Sequence, residues 1–355
     1  MIYNSFSSSI ITWYKANLRS LPWRETQKPY LIWISEIILQ QTRVTQGLPY
    51  YYKFIQTFPT IEALANADEQ EVLAIWQGLG YYSRARNMHK CAQEVVNNYK
   101  GCFPMSFDAL LKLPGIGPYT AAAIASLAYN MPIPVVDGNV YRVLARVFGL
   151  KNNIADAKSF RVFFNLSEEL IDHNHPGNYN QGVMELGATV CLPQNPKCNF
   201  CPINESCFAK QHNTQSKLPV KIKKSKKRNR FFTYLVIEVN GKLAMSERTK
   251  NDIWKGLFEF YLIENKADTS IDEVENTLLK NLLDIDAFLT NTTQMPKHIL
   301  SHQTLFTSFL HFKLTTNTNV INWLKENELV LYSLEEIDRL PKSVLITNYL
   351  NNVLK

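Results

Sequence analysis

Four cysteines, Cys191, Cys198, Cys201 and Cys207, constrain this chain more than any other feature, because they tie one short stretch of backbone to a common object. Six, two and five residues separate them. With only Cys91 and Cys102 besides, in a chain of 355 residues, a disulfide framework is a poor fit. Thiolates held this close suit a tetrahedral zinc ion or a [4Fe–4S] cluster. Zinc sites usually take two C-x-x-C pairs across a longer loop, and only one such pair is present. The spacing winds the chain around one compact body, which a cube-shaped cluster would be. Spacing alone leaves both metals open.

The cysteines close a region that reads as all-helical. Ile32, Ile34, Ile37 and Ile38, and later Val143, Leu144 and Val147, recur at helical spacing. Asp68 with Glu71, Ser83 and Ser106 stand where helix caps belong. After Lys217–Arg230 the pattern changes. Phe231 to Val239 is aromatic and β-branched, Asn240-Gly241 offers a two-residue hairpin turn, and Lys242 to Met245 returns. A helix is expected over 270–283 with Ser270 and Glu273 as a capping box, more strand over 299–314, and a closing helix over 343–354. The expected organisation is a helical catalytic region 1–216 (hairpin 113–118, cysteine loop 191–207), a basic linker 217–230, and an α+β domain 231–355.

Charge follows the same division. Of 38 basic and 31 acidic residues, the linker holds eight basic and none acidic, residues 1–216 hold 18 and 15, and residues 231–355 hold 12 and 16. A basic strip between a mildly basic part and an acidic part favours a polyanion, with a solubilising linker as the plainer alternative. The alanine-rich uncharged stretch Tyr119 to Val136 is broken by Asn130, Pro132 and Pro134, so a helix plus a turn fits it better than a membrane span. Met1 to Arg19 has no cationic start before a long apolar core, so an intracellular, cytoplasmic setting is expected.

Two lone carboxylates are candidates for chemistry, against the plainer readings of a surface Glu on an amphipathic helix and an Asp that only caps one. Glu36 is the only acid between Glu25 and Glu62 and lies among Ile32, Trp33, Ile34, Ile37, Ile38 and Leu39. Desolvation there raises its pKa and suits it to act as a general acid. Asp137 is the only acid between Asp108 and Asp156 and precedes a helical run, where a cap would hold its anion. One acid pushed up and one held down divide the work of breaking a glycosidic bond through a cationic sugar. Between them, Leu113-Pro114-Gly115-Ile116-Gly117 makes a tight turn into a helix, where outward amides suit a phosphate, or merely join two helices.

Taken together, these residues resemble the helix–hairpin–helix DNA glycosylases with an iron–sulfur cluster, and within them the adenine-excising MutY type. Leu21-Pro22-Trp23-Arg24, Ser35 to Thr42, Gly78 to Arg84, Leu113 to Ala121, Val136 to Val140 and the cysteine spacing carry the resemblance. It implies one [4Fe–4S] cluster on the four cysteines. The implied activity is hydrolysis of adenine from pairs with 8-oxoguanine or guanine in duplex DNA. It implies Glu36 as the acid, Asp137 as the sugar's counter-charge and Tyr119 as their hydrogen-bonding neighbour. Arg24, Gln181, Trp23 and Leu39 match residues near the flipped adenine. Gln41, Thr42, Tyr81, Leu113, Gly115, Gly117 and Asn139 match DNA-contacting positions. A tyrosine at 119, where strand-cutting relatives carry lysine, implies base removal without strand cleavage.

The second half resembles the Nudix-like lesion-reading domain of these enzymes. Trp254 to Phe260 matches a family segment that usually has tryptophan where Phe258 stands, and Leu300-Ser301-His302 falls where Phe-Ser-His is typical. Ser301 and His302 are carried over as lesion readers, and Leu300 departs from the pattern by losing an aromatic contact. His302 is expected in a strand. The acidic box of Nudix hydrolases is absent, so recognition without diphosphate hydrolysis is expected. A monomer is expected, with no membrane partner. Two other readings compete: a glycosylase of the same fold that excises another base, and a non-catalytic DNA binder whose cluster senses redox state.

Overall fold

The computed structural model describes residues 2–222, 228–265 and 287–354. The expected helix at 270–283 and the lysine-rich centre of the linker lie outside them. The chain divides into two compact units. One comprises residues 1–66 and 87–224, and the other 67–86 and 225–355. Segment 67–86 thus clusters with the β-rich half, although it interrupts the helical half of the sequence.

In the first unit, α1 (Ile2–Asn17), α2 (Pro29–Leu39) and α3 (Val44–Thr57) are followed by α4 (Ile61–Asn66). Pro29 starts α2, where its missing N–H costs nothing. From Ile32 to Ile38 every α2 residue is buried, so the helix has no solvent face and its one acid is drawn inside. In the second unit, α5 (Glu69–Trp76) has Asp68 at its N-cap, but the Asp68 side chain makes no capping bond, contrary to expectation. The helix α6 (Ser83–Tyr99) begins at Ser83 as read.

The short α7 (Phe107–Leu110) is capped by Ser106, whose Oγ accepts from Ala109 N at 3.1 Å. The turn after it reaches α8 (Pro118–Tyr129) through Gly115 at φ +74°. A side chain at Gly115 would be strained and would meet Asn87 Cβ at 2.6 Å. Small residues from Thr120 to Ser126 are buried and let α8 pack against α2. Next come α9 (Gly138–Phe148), α10 (Ala157–Leu170) and α11 (Pro176–Thr189). The last packs on α1, α8 and α9 around Phe6, Val143, Leu144, Phe163, Tyr179 and Leu186. The cysteine loop then runs to α12 (Phe208–Gln211).

The second unit's sheet is built on β1 (Arg228–Val239). It turns at Asn240-Gly241 (φ +50° and +76°) into β2 (Lys242–Glu247), which adds β3 (Phe258–Glu259), while β4 (Tyr261–Asn265) pairs back on β1. Such φ values at both turn residues are what a two-residue hairpin requires. The antiparallel pair β5 (Ala287–Ile299) and β6 (Gln303–Leu314) lies on the other side, with β6 parallel to β1 from end to end. Then follow α13 (Thr318–Glu326), β7 (Val330–Tyr332) on β2, α14 (Leu334–Arg339) and α15 (Val344–Tyr349). Phe232, Tyr234, Leu305 and Phe309 pack on Leu345 and Tyr349 on one face. Leu235, Ile237, Leu310 and Phe312 pack on Val320 and Leu324 on the other. Both faces are covered, so β1 shows a continuous apolar run rather than alternation.

Candidate active site

Glu36 sits near the end of α2 with only 6% of its surface exposed. The second residue of α8, Tyr119, donates its hydroxyl to Glu36 Oε2 at 2.6 Å and lies 3.8 Å from Met184 Sδ. Burial pushes the Glu36 carboxyl up to about 7. The Tyr119 hydrogen bond and the nearby Arg24 oppose that rise, and the negative Asp137 adds to it. Burial and the same two acids hold the Tyr119 phenol far above its ordinary pKa, so it remains a neutral donor.

Asp137 caps α9. Its Oδ1 accepts from Asn139 N at 2.9 Å and Val140 N at 2.8 Å, and its Oδ2 accepts from Asn139 Nδ2 at 2.8 Å. The expectation that the cap holds its pKa below the ordinary value is not met: burial raises it and outweighs those three donors and Arg142. The difference between the two acids lies in their partners. Three donors meet Asp137, and one meets Glu36.

Arg24 stands beside Glu36 at the end of a 3₁₀ turn (Pro22–Arg24). Its Nη2 meets Glu185 Oε2 at 2.6 Å, and its Nε donates to Gln181 Oε1 at 3.2 Å. Glu185, fully buried at its side chain, is also gripped by Arg19 at 2.6 and 2.7 Å. Burial alone would raise the Glu185 pKa, but the two guanidiniums win and keep it an anion. Sequence reading missed Glu185, which lies one helical turn after Gln181 on the same face of α11. It also missed Arg142, whose Nη2 donates to Asn139 Oδ1 at 2.8 Å and whose Nε donates to the Cys191 carbonyl at 2.7 Å.

The other expected residues are more scattered. Trp23 is buried edge-on against Tyr51, and it shares a pocket with Arg24 and Gln181. Leu39 is half-buried at the end of α2. Gln41 (φ +57°) is exposed just beyond it, followed by Thr42, whose Oγ1 donates to the Gln40 carbonyl at 3.4 Å. Leu113 is 3% exposed, so its side chain belongs to the core and only the hairpin backbone, with exposed Gly115 and half-buried Gly117, is open to a ligand. Any contact from Leu113 to a ligand would therefore come from its backbone.

Within the second unit, Tyr81 (φ +49°, 44% exposed) tips a turn that Trp76 and Arg84 brace. Trp76 Nε1 donates to the Gly80 carbonyl at 3.0 Å, and the Arg84 guanidinium lies over both the Trp76 and Tyr81 rings. Ser301 and His302 are exposed in the turn between β5 and β6, not in a strand, with Ser301 Oγ 3.0 Å from His302 Nδ1. Leu300 is half-buried, packed against that unit's core and lining the same cleft as these two. Tyr81, Trp254, His298, Ser301 and His302 line one cleft of about 1260 Å³ counted out to its mouth.

All four loop cysteines line one pocket in the first unit, with Arg146 Nη1 3.4 Å from Cys191 Sγ. No three His, Cys, Asp or Glu among the described residues converge on the position of a single metal ion. No helix among them is long and apolar enough to cross a membrane.

Residues 34–167 match the model of the HhH-GPD superfamily of base excision DNA repair proteins, and residues 233–352 match the NUDIX domain. An adenine DNA glycosylase of Buchnera aphidicola subsp. Schizaphis graminum (strain Sg) is 38% identical, over 84% of this chain and 85% of that protein. The chain belongs to the adenine DNA glycosylase family. Another family member, from Buchnera aphidicola subsp. Acyrthosiphon pisum (strain APS), is 39% identical over 75% of this chain and 76% of its own. The Homo sapiens member is 41% identical over 60% of this chain and 41% of its own. Among solved structures, a thermostable thymine-DNA glycosylase is 31% identical (TM-score 0.55) over 59% of this chain and 97% of that one. A trapped endonuclease III–DNA covalent intermediate, at 19% identity and TM-score 0.51, shares the fold of the helical part.

Proposed function

We propose that this family member removes adenine paired with 8-oxoguanine or guanine in duplex DNA and leaves an abasic site with the strand intact. The observation that carries the reading is the buried Glu36, held near pH 7 and bonded to Tyr119 at 2.6 Å beside the capped anion of Asp137.

The target adenosine leaves the base stack before any group can reach its sugar bond. Protonated Glu36 gives its proton to adenine N7 as the C1′–N9 bond breaks, and the bonding electrons leave with the base. Asp137 faces the positive sugar that results. Glu36, now a carboxylate, takes a proton from the water that adds to C1′. Tyr119 orients Glu36 throughout, and Glu185 holds Arg24 beside it. Ser301 and His302 read the opposite base from the β5–β6 turn.

The four cysteines fit a [4Fe–4S] cluster: all face one pocket, and Arg146 places positive charge against Cys191. Bound there, the cluster would serve to cross-link the loop. Purified protein is expected to carry about four irons per chain, measured by metal analysis; zinc in place of iron would overturn this assignment.

Duplexes carrying single mispairs, quenched with and without alkali, test the reading. Adenine release opposite 8-oxoguanine, with strand breaks only after alkali, is expected. Because a thymine-DNA glycosylase structure is 31% identical, thymine release with no adenine release is the alternative outcome. Tyr119→Lys should add borohydride-trappable strand cleavage, since a lysine amine there can form a Schiff base with C1′. A mutant that cuts no more than wild type argues against the placement of Tyr119.

A further inference from the structure

We propose that Gln77, Tyr82 and Arg86 are positioning residues that dock the Tyr81 turn onto the lesion-reading part of the second unit, so that the opposite base governs the side chain entering the duplex. This rests on the reading that the enzyme distinguishes 8-oxoguanine from guanine. The contacts form a ring around the turn. Arg86 Nη1 donates to the Lys255 carbonyl at 2.6 Å, while the Tyr82 hydroxyl donates to the Lys342 carbonyl at 3.4 Å. Gln77 reaches two partners, accepting from Lys342 N and donating to Thr347 Oγ1, both at 3.4 Å.

The receiving side is shaped for this docking. Gly256, at φ +81°, brings the 254–257 loop so close to α5 that a Cβ would meet Leu73 Cδ1 at 3.0 Å. The buried Lys342 ammonium donates to the carbonyls of Ile337, Asp338 and Leu340, which fixes the backbone that Gln77 and Tyr82 hold. Trp254, next to the carbonyl that Arg86 grips, packs toward His298 at 5.8 Å between ring centres, two residues from Leu300-Ser301-His302. A path of direct contacts therefore joins the β5–β6 turn to Tyr81 within one unit. Tyr81 itself holds a left-handed backbone that a tyrosine adopts only when its surroundings impose it.

Full-length Arg86→Ala, Gln77→Ala and Thr347→Val should each slow single-turnover adenine release opposite 8-oxoguanine by about tenfold, the size of one lost hydrogen bond to a charged or buried partner. Release opposite guanine should change less than about twofold, so the preference narrows. Arg86→Lys should recover part of it, and Gln77→Ala with Thr347→Val should cost no more than Gln77→Ala alone. Amide exchange at residues 78–82 and 253–257 should rise together in Arg86→Ala. An unchanged 8-oxoguanine-to-guanine ratio with unchanged exchange overturns the docking role. A wild type with no 8-oxoguanine preference overturns the lesion reading, while the exchange result still decides whether the turn is docked.

Discussion

Glu36→Gln lowers adenine release by roughly 10³-fold, because the amide keeps the shape and the bond from Tyr119 but has no proton to give the leaving base. Binding to a mispaired duplex should change little. With Glu36 as the proposed acid, the wild-type rate should fall as pH rises above about 7. The mutant's residual rate should lack that limb. Stability falls in the same direction. A carboxyl with a raised folded-state pKa favours the fold below its unfolded value and loses that contribution as pH climbs through about 7. Glu36→Gln should therefore be the more heat-stable protein at pH 8, as scanning calorimetry can show. Near-normal base release by this mutant would remove Glu36 from the mechanism.

Asp137→Asn carries the second large effect, a loss of about 10²–10³-fold, since the positive sugar then faces a neutral amide. Asparagine caps helices as well as aspartate does, so α9 should begin where it does now and the melting temperature should move by only a few degrees. Removing the negative charge also relieves Glu36, whose pKa should drop toward its ordinary value and draw the falling limb of the pH profile to lower pH. A mutant that lost activity by unfolding would show that loss in calorimetry. A folded mutant at the wild-type rate would exclude Asp137 from charge stabilisation.

Local rules made parts of this site readable. Glu36 stood out as one acid in an apolar run, and α2 is indeed buried from Ile32 to Ile38. Asp137 preceded a helix, and it caps α9. The Asn240-Gly241 turn followed from the conformations its residues allow. Partners far apart in the chain were not readable. Arg19 and Glu185 meet across 166 residues, and nothing near either announces the pair. Leu113 reads as part of a phosphate-binding turn, and the burial of its side chain there is not visible in the motif. The direction of the Asp137 shift depended on how deeply its cap is buried, a tertiary quantity. The same holds for segment 67–86, whose pattern is plainly helical but whose packing partners come from the other end of the chain.

The Arg142 guanidinium touches both the Cys191 carbonyl and Asn139, and Asn139 in turn holds Asp137. The cysteine loop and Asp137 are therefore joined by three hydrogen bonds in a row. Oxidative damage that let the loop sag would be felt first as a misaimed counter-ion, before the fold itself gave way. An enzyme of this build would fall silent on its substrate while still folded.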